Sequence, residues 1–161
     1  MSASGTVRMV EGMGGPFDIL VEEHHALEER FARLVSSAEP EPLSAQRELL
    51  ALLRQHMWLE ERCLQPWVAR VEGRHRARRL AEESLAMREL MDELEELTPG
   101  SADWLARVLA LEDLWVAHFQ EEERALLPRL TTVLDPQEQQ VLSLELTRAR
   151  NALRARGHAG H

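Results

Sequence analysis

Apolar residues recur along the chain at three- and four-residue intervals, and Gly and Pro interrupt them at only a few points, so the pattern predicts helices nearly throughout. Gly14, Gly15 and Pro16 open the first helix, Pro40 and Pro42 close it, Gly73 divides the middle of the chain, and Pro99 with Gly100 separates the last long pair. The first predicted helix runs from about Phe17 to Ser37 with Leu20, Leu27, Phe31 and Leu34 along one side. The second, from about Ser44 to Val71, turns Leu49, Leu52, Leu53 and Leu59 inward. The third, from about Arg74 to Leu97, does the same with Leu80, Met87, Leu90, Met91 and Leu94. The fourth covers about Ala102 to Leu130, with Ser101 as its N-cap. A fifth begins after Leu134, where Asp135 and Pro136 make a cap and first-turn pair, and carries Val141, Leu142, Leu144, Leu146 and Leu153. Short connections between long amphipathic helices favour antiparallel neighbours. The expected fold is therefore all-α: an up-down-up-down antiparallel four-helix bundle with an additional C-terminal helix. That last helix either covers a groove of the bundle or forms the contact of a homodimer, and the sequence leaves both open.

Composition agrees with this reading and narrows the partners. Leu, Ala, Glu and Arg dominate, Tyr is absent, and 161 residues are enough for one substantial core. The expected organisation is a flexible segment at 1–15, the bundle at 16–131, and the C-terminal helix with a flexible tail at 132–161. A formal net charge of -9 argues against a nucleic-acid partner, because phosphate binding needs a concentrated Lys/Arg face. The one dense basic run, Arg74, Arg76, Arg78 and Arg79, is short and reads as solvated. Met1 to Gly15 contain no apolar core of a secretory signal, and no stretch approaches the length of a membrane span, so a cytoplasmic location is expected. Cys63 stands alone and reads as a small buried hydrophobe. Trp58, Trp67, Trp104 and Trp115 read as packing residues, and Met87 and Met91 as adaptable core filling.

An internal repeat points to the chemistry. Shifting the chain by 62 positions superposes His56, Glu60, Glu61, Arg62, Leu64 and Pro66 on His118, Glu122, Glu123, Arg124, Leu126 and Pro128. Chance matches of Glu and Leu are common in helical proteins, but the rarer His and Pro falling in one register are not. A shift of 60 superposes Leu20, Glu22, Glu23, Leu27, Phe31 and Leu34 of the first helix on Leu80, Glu82, Glu83, Met87, Met91 and Leu94 of the third. In that register His24 falls on Ser84, so the two halves read as duplicated helix pairs that differ at one histidine.

Residues four apart share a helical face, so His56 with Glu60 and His118 with Glu122 each present an imidazole and a carboxylate toward one point. Their phase matches the apolar stripes, which turns them inward. With His24 from the first helix, three imidazoles and two carboxylates converge in the bundle. Buried among leucines without partners, each carboxylate would cost several kcal/mol or be forced to protonate, and a bound cation removes that difficulty. Imidazole and carboxylate donors suit iron, zinc or manganese, while the absence of thiolates beyond the single Cys63 argues against an iron-sulfur cluster or a Cys-rich structural zinc site. Carboxylates also bridge, which accommodates a dinuclear centre. His25 lies roughly 100° around the helix from His24 and, like His75, His158 and His161, reads as solvated.

These residues resemble the hemerythrin-like, HHE cation-binding family from about Phe17 to Leu130. The family pattern is one His on the first helix, His-x-x-x-Glu on the second, one His on the third and His-x-x-x-Glu on the fourth. Here it reads His24 within Glu-Glu-His-His-Ala-Leu, His56-Met-Trp-Leu-Glu60 and His118-Phe-Gln-Glu-Glu122, with Ser84 where the third-helix histidine would stand. The resemblance implies a non-haem di-iron centre that binds dioxygen, nitric oxide or a related diatomic ligand, or senses iron or redox state. Ser84 changes that expectation in one of three ways: it leaves an open coordination position, Glu83 substitutes for the histidine, or a mononuclear site remains. Two other readings stay beside the binding protein: a di-iron oxidase or peroxidase, and a degenerate bundle that serves as a metal-free interaction module.

Overall fold

The computed structural model describes residues 15–159, and every regular element among them is a helix. Residues 1–14 and the last two positions lie outside the described residues, as does the expectation of flexibility for most of 1–15 and for His161. α1 spans Asp18–Val35 and α2 Pro42–Leu59; a π-helical turn, Glu60–Leu64, carries α2 directly into α3, Gln65–Glu72. α4 follows at Arg74–Glu96 and α5 at Ala102–Glu121, which passes through a second π turn, Glu122–Leu126, into α6, Leu127–Val133. α7, Pro136–Ala159, completes the chain. Four long helical rods, α1, α2–α3, α4 and α5–α6, thus pack in sequence order with α5 closing back onto α1. No helix among the described residues is long and apolar enough to cross a membrane.

Local signals set the boundaries. Gly73 and Gly100 adopt φ values of 95° and 92°, a region that disfavours side chains with a Cβ, and both lie where consecutive rods reverse. Ser101 caps α5 by accepting a hydrogen bond from the Trp104 backbone N–H at 3.2 Å. Ahead of α7, the Glu138 N–H donates to Asp135 Oδ1 at 2.8 Å and the Asp135 N–H donates to Glu138 Oε1 at 3.2 Å, a reciprocal capping box.

The two π turns depart from the unbroken second and fourth helices that the apolar pattern predicts. Each is five residues long and each begins at a glutamate of the repeat, Glu60 or Glu122. The Gln65 N–H donates to Glu60 O, and the Leu127 N–H donates to Glu122 O, five residues back instead of four. The following prolines, Pro66 and Pro128, supply a physical reason: a proline ring clashes with the carbonyl four residues earlier and cannot donate to it, so a widened turn relieves the conflict.

The apolar interior is divided into two clusters. One gathers Leu27, Phe31, Leu49, Leu53, Met87, Met91, Leu111 and Trp115; the other gathers Leu20, Leu59, Leu64, Leu126, Leu130, Leu142 and Leu146. α7 contributes Leu142, Leu146 and Ala149 to the second cluster and packs on the Glu60–Leu64 turn. Of the two uses the sequence left open for this helix, the groove cover is the one observed. Replacing Leu146, which is fully buried, by Ala is expected to cost about 2–5 kcal/mol of unfolding free energy. Leu144→Ala, at a position 47 % exposed on the same helix, is expected to change it by less than about 0.5 kcal/mol; urea denaturation of the two variants separates a packed α7 from a loosely attached one.

Candidate metal centre

Between the two apolar clusters lies a single polar layer. α1 carries His24 between Leu20 and Leu27, α2 carries His56 between Leu53 and Leu59, α4 carries Ser84 between Leu80 and Met87, and α5 carries His118 three residues after Trp115. Each rod therefore interrupts its apolar stripe at the same level, and the π turns begin there with Glu60 and Glu122. His24, His56, Glu60, Ser84, His118 and Glu122 are all buried.

The five residues expected from the sequence converge. One ligand atom from each of His24, His56, Glu60 and Glu122 lies within 4.8 Å of all the others. His118 joins through Nε2, 2.9 Å from Glu60 Oε2 and 3.1 Å from Glu122 Oε2. His56 Nε2 is 2.6 Å from Glu60 Oε1, and His24 Nε2 is 3.4 Å from Glu122 Oε1. His25, by contrast, is exposed beside Glu28, and His75 is exposed at the start of α4.

Three further carboxylates stand behind the imidazoles. Nδ1 of His56 lies 2.9 Å from Glu23, Nδ1 of His24 3.0 Å from Glu123, and Nδ1 of His118 3.3 Å from Glu83. A carboxylate only accepts, so each Nδ1 is the donor and each Nε2 is left facing the centre, the arrangement by which outer carboxylates orient metal-ligating histidines. The sequence reading missed this role for Glu23 and Glu123 and weighed Glu83 only as a substitute ligand; Glu83 sits instead on the outer side of His118. The repeat held the signal, since Glu23 and Glu83 are equivalent positions in the 60-residue register and serve the equivalent His56 and His118.

The pseudo-symmetry breaks at Ser84. His24 pairs with Glu123, whose counterpart Glu61 has no imidazole to receive and is instead bound by Arg88 at 2.5 Å. The Arg88 guanidinium thus occupies the carboxylate that a histidine at position 84 would have engaged.

The donor set fits a cation. With Nδ1 protonated on both, His24 and His56 direct Nε2 lone pairs at each other across 3.2 Å, a repulsive contact unless positive charge lies between them. Glu60 Oε1 and both Glu122 oxygens are buried and accept no hydrogen bond, although imidazole nitrogens lie within ion-pair distance. Buried carboxylates in that condition call for a metal ion or for protons. Protons are what the electrostatics supplies without metal. Burial opposes charging of His24, but Glu122, Glu123 and Glu60 outweigh it and raise the imidazole to about 11. Burial likewise opposes charging of His56, which Glu60 and Glu23 nevertheless raise to about 9. His118 is also raised by Glu60, Glu122 and Glu83 against its burial. Glu60 is held well below the usual carboxylate range by His56 and His118, again against the effect of burial. Aromatic rings close one side: Phe119 and Trp115 lie 5.4 and 6.2 Å from the His24 ring, centroid to centroid.

The fold and this layer together define a helical bundle with a buried His/carboxylate cation-binding centre. Residues 15–130 match the model of the hemerythrin HHE cation binding domain, and the chain belongs to that family. A DNA nickase of Nostoc sp. (strain PCC 7120 / SAG 25.82 / UTEX 2576) is 22 % identical over 140 residues, covering 86 % of this chain and 40 % of the nickase, so the chain spans about two fifths of that relative's length. No solved structure matches.

A pH dependence follows for the metal-free protein. His24 and His56 have folded values above the unfolded 6.5, so their stabilisation is complete below pH 6.5 and is lost as pH rises through about 9 and then about 11. Glu60, depressed below 4.5, stabilises above pH 4.5 and loses that contribution on further acidification. Thermal unfolding of metal-free protein is therefore expected to show maximal stability between pH 4.5 and 6.5 and a decline on the alkaline side; a flat profile from pH 6.5 to 10 would contradict the charge balance described.

Proposed function

We propose that this chain holds a dinuclear non-haem iron centre on His24, His56, Glu60, His118 and Glu122, and uses it to bind or sense a small diatomic ligand such as dioxygen or nitric oxide, or the iron and redox state. The division of the carboxylate oxygens carries this reading. Oε1 of Glu60 and of Glu122 lie toward His56 and His24, at 2.6 and 3.4 Å, whereas Oε2 of both lie toward His118, at 2.9 and 3.1 Å. Each carboxylate offers one oxygen to either side, the disposition by which a carboxylate bridges two ions.

The two sides are unequal. His24, His56 and two carboxylate oxygens would hold one ion. His118 and the other two oxygens would hold the second, next to Ser84, whose neutral hydroxyl ligates far more weakly than imidazole. The poorer side thereby keeps a position for an exogenous ligand. Imidazole nitrogens combined with two carboxylates suit iron among the metals that accept such donors, and iron, when bound, supplies the reversible coordination of diatomic ligands. Around it this chain's own residues orient and exclude: Glu23, Glu123 and Glu83 fix the imidazoles through Nδ1, and the Trp115–Phe119 wall limits water. The net charge of -9 supports cations and small ligands as partners in preference to nucleic acid.

Anaerobic reconstitution with ferrous iron followed by elemental analysis is expected to give about two irons per chain, with an optical band that shifts on addition of azide or nitric oxide. Ser84→His is expected to retain both irons and blunt the azide shift, because an added imidazole fills the open position. A folded protein that stays free of iron, or saturates at a single ion, would overturn the dinuclear reading; an undiminished azide response in Ser84→His would remove the open position from this end of the site.

A further inference from the structure

α7 does not seal the whole groove it covers. Where it passes the end of α2, the π turn and α3, a cleft of about 840 Å³ remains, within the size range of small-molecule sites. Its floor is small and apolar: Cys63 is buried, and Ala149 and Ala152 keep the α7 wall low. Its rim is cationic. Arg62, Arg70, Arg148 and Arg156 face one carboxylate, Glu145, across the lining. Arg70 is held by Glu138 at 2.7 Å, but Arg62, Arg148 and Arg156 form no ion pair among the described residues. In a chain of net charge -9, acidic partners are plentiful, and most other surface arginines have found one.

Two indoles stand among these guanidiniums. Arg62 lies over Trp58 at 5.4 Å and Arg70 over Trp67 at 5.2 Å. A guanidinium held against a ring face is fixed in orientation and keeps its N–H donors at its own edge, a flat cationic surface at Trp58 where Arg62 has no acidic partner among the described residues. All four tryptophans pack as the sequence suggested, but unequally: Trp104 and Trp115 are buried, while Trp58 and Trp67 lie half-buried against the second apolar cluster and keep an edge in the cleft lining. The internal repeat sharpens this. The second-half equivalents of Trp58, Cys63 and Trp67 are Gln120, Ala125 and Arg129, so the aromatic walls belong to the half that α7 packs upon and are not part of the duplicated bundle plan.

We propose that this cleft is a binding site for a nucleoside monophosphate, with the phosphate on Arg148 and Arg156 and the planar base against the guanidinium–indole stacks of Arg62 on Trp58 and Arg70 on Trp67. The cleft's volume, its unneutralised guanidiniums and its flat guanidinium–indole stacks match the three parts of such a ligand: overall size, anion and base. The inference is independent of the metal reading, since none of these residues contributes to the polar layer.

Calorimetric titration of the 161-residue chain with AMP at low salt tests it. One saturable site per chain is expected, with quenching of tryptophan fluorescence and with inorganic phosphate binding far more weakly than AMP. Arg148→Glu/Arg156→Glu, both at exposed positions, is expected to weaken AMP at least about tenfold through lost charge-assisted hydrogen bonds. Trp67→Ala, with its helicity checked by circular dichroism, is expected to weaken AMP while leaving the weak phosphate affinity unchanged. Absence of saturable AMP binding, equal affinity for phosphate and AMP, or unchanged affinity in the arginine variant would overturn the proposal. So would a single-stranded oligonucleotide binding more tightly than AMP, which would make the cleft a nucleic-acid groove.

Discussion

Two buried carboxylates and two imidazole nitrogens facing each other at 3.2 Å cannot rest in an apolar core without positive charge among them. The remainder of the architecture is arranged around that requirement. The hydrophobic interior is split in two so that a polar layer can pass through all four rods at one level, and the rods above and below it are ordinary leucine-rich packing. Protons satisfy the requirement when no metal is present, which explains why His24, His56 and His118 all hold protons far more strongly than free imidazole. Metal binding and proton release are consequently two sides of one equilibrium in this protein.

Much of this was legible in the sequence because it depends on helical phase. His24, His56 and His118 share the stripes of Leu20, Leu53 and Trp115, and a period of 3.6 residues converts that into convergence. Glu60 and Glu122 were legible for the same reason, reinforced by repetition at a fixed offset. What escaped depends on departures from regular phase. Pro66 and Pro128 widen the backbone into π turns that an unbroken helix does not contain, and the turns reposition Glu123 so that it reaches His24 across the bundle. Glu23 is adjacent to His24 in sequence yet pairs with His56 on another helix, a contact that no single-helix pattern contains. The cleft beside α7 was illegible because it is formed by the spacing between two elements and not by either one.

The internal repeat locates the asymmetry of the polar layer at a single pair of positions, His24 and Ser84. The second and fourth rods, α2–α3 and α5–α6, share the His-x-x-x-Glu pair, the π turn and the proline. The α1 and α4 rods keep the outer glutamates, Glu23 and Glu83, but differ at His24 and Ser84. The difference is felt beyond its own position: Glu61 pairs with Arg88, while its equivalent Glu123 pairs with His24. Trp58 and Trp67 likewise stand on one half only, where α7 lies.

Anomalous diffraction at the iron absorption edge, from crystals of iron-loaded protein, tests the central claim most directly. Two anomalous peaks are expected within the polar layer, one within bonding distance of Nε2 of His24 and His56 and the other of Nε2 of His118, with Glu60 and Glu122 between them. Iron density located outside the layer, or a layer without density in which the imidazoles bind through Nδ1 or not at all, would contradict it.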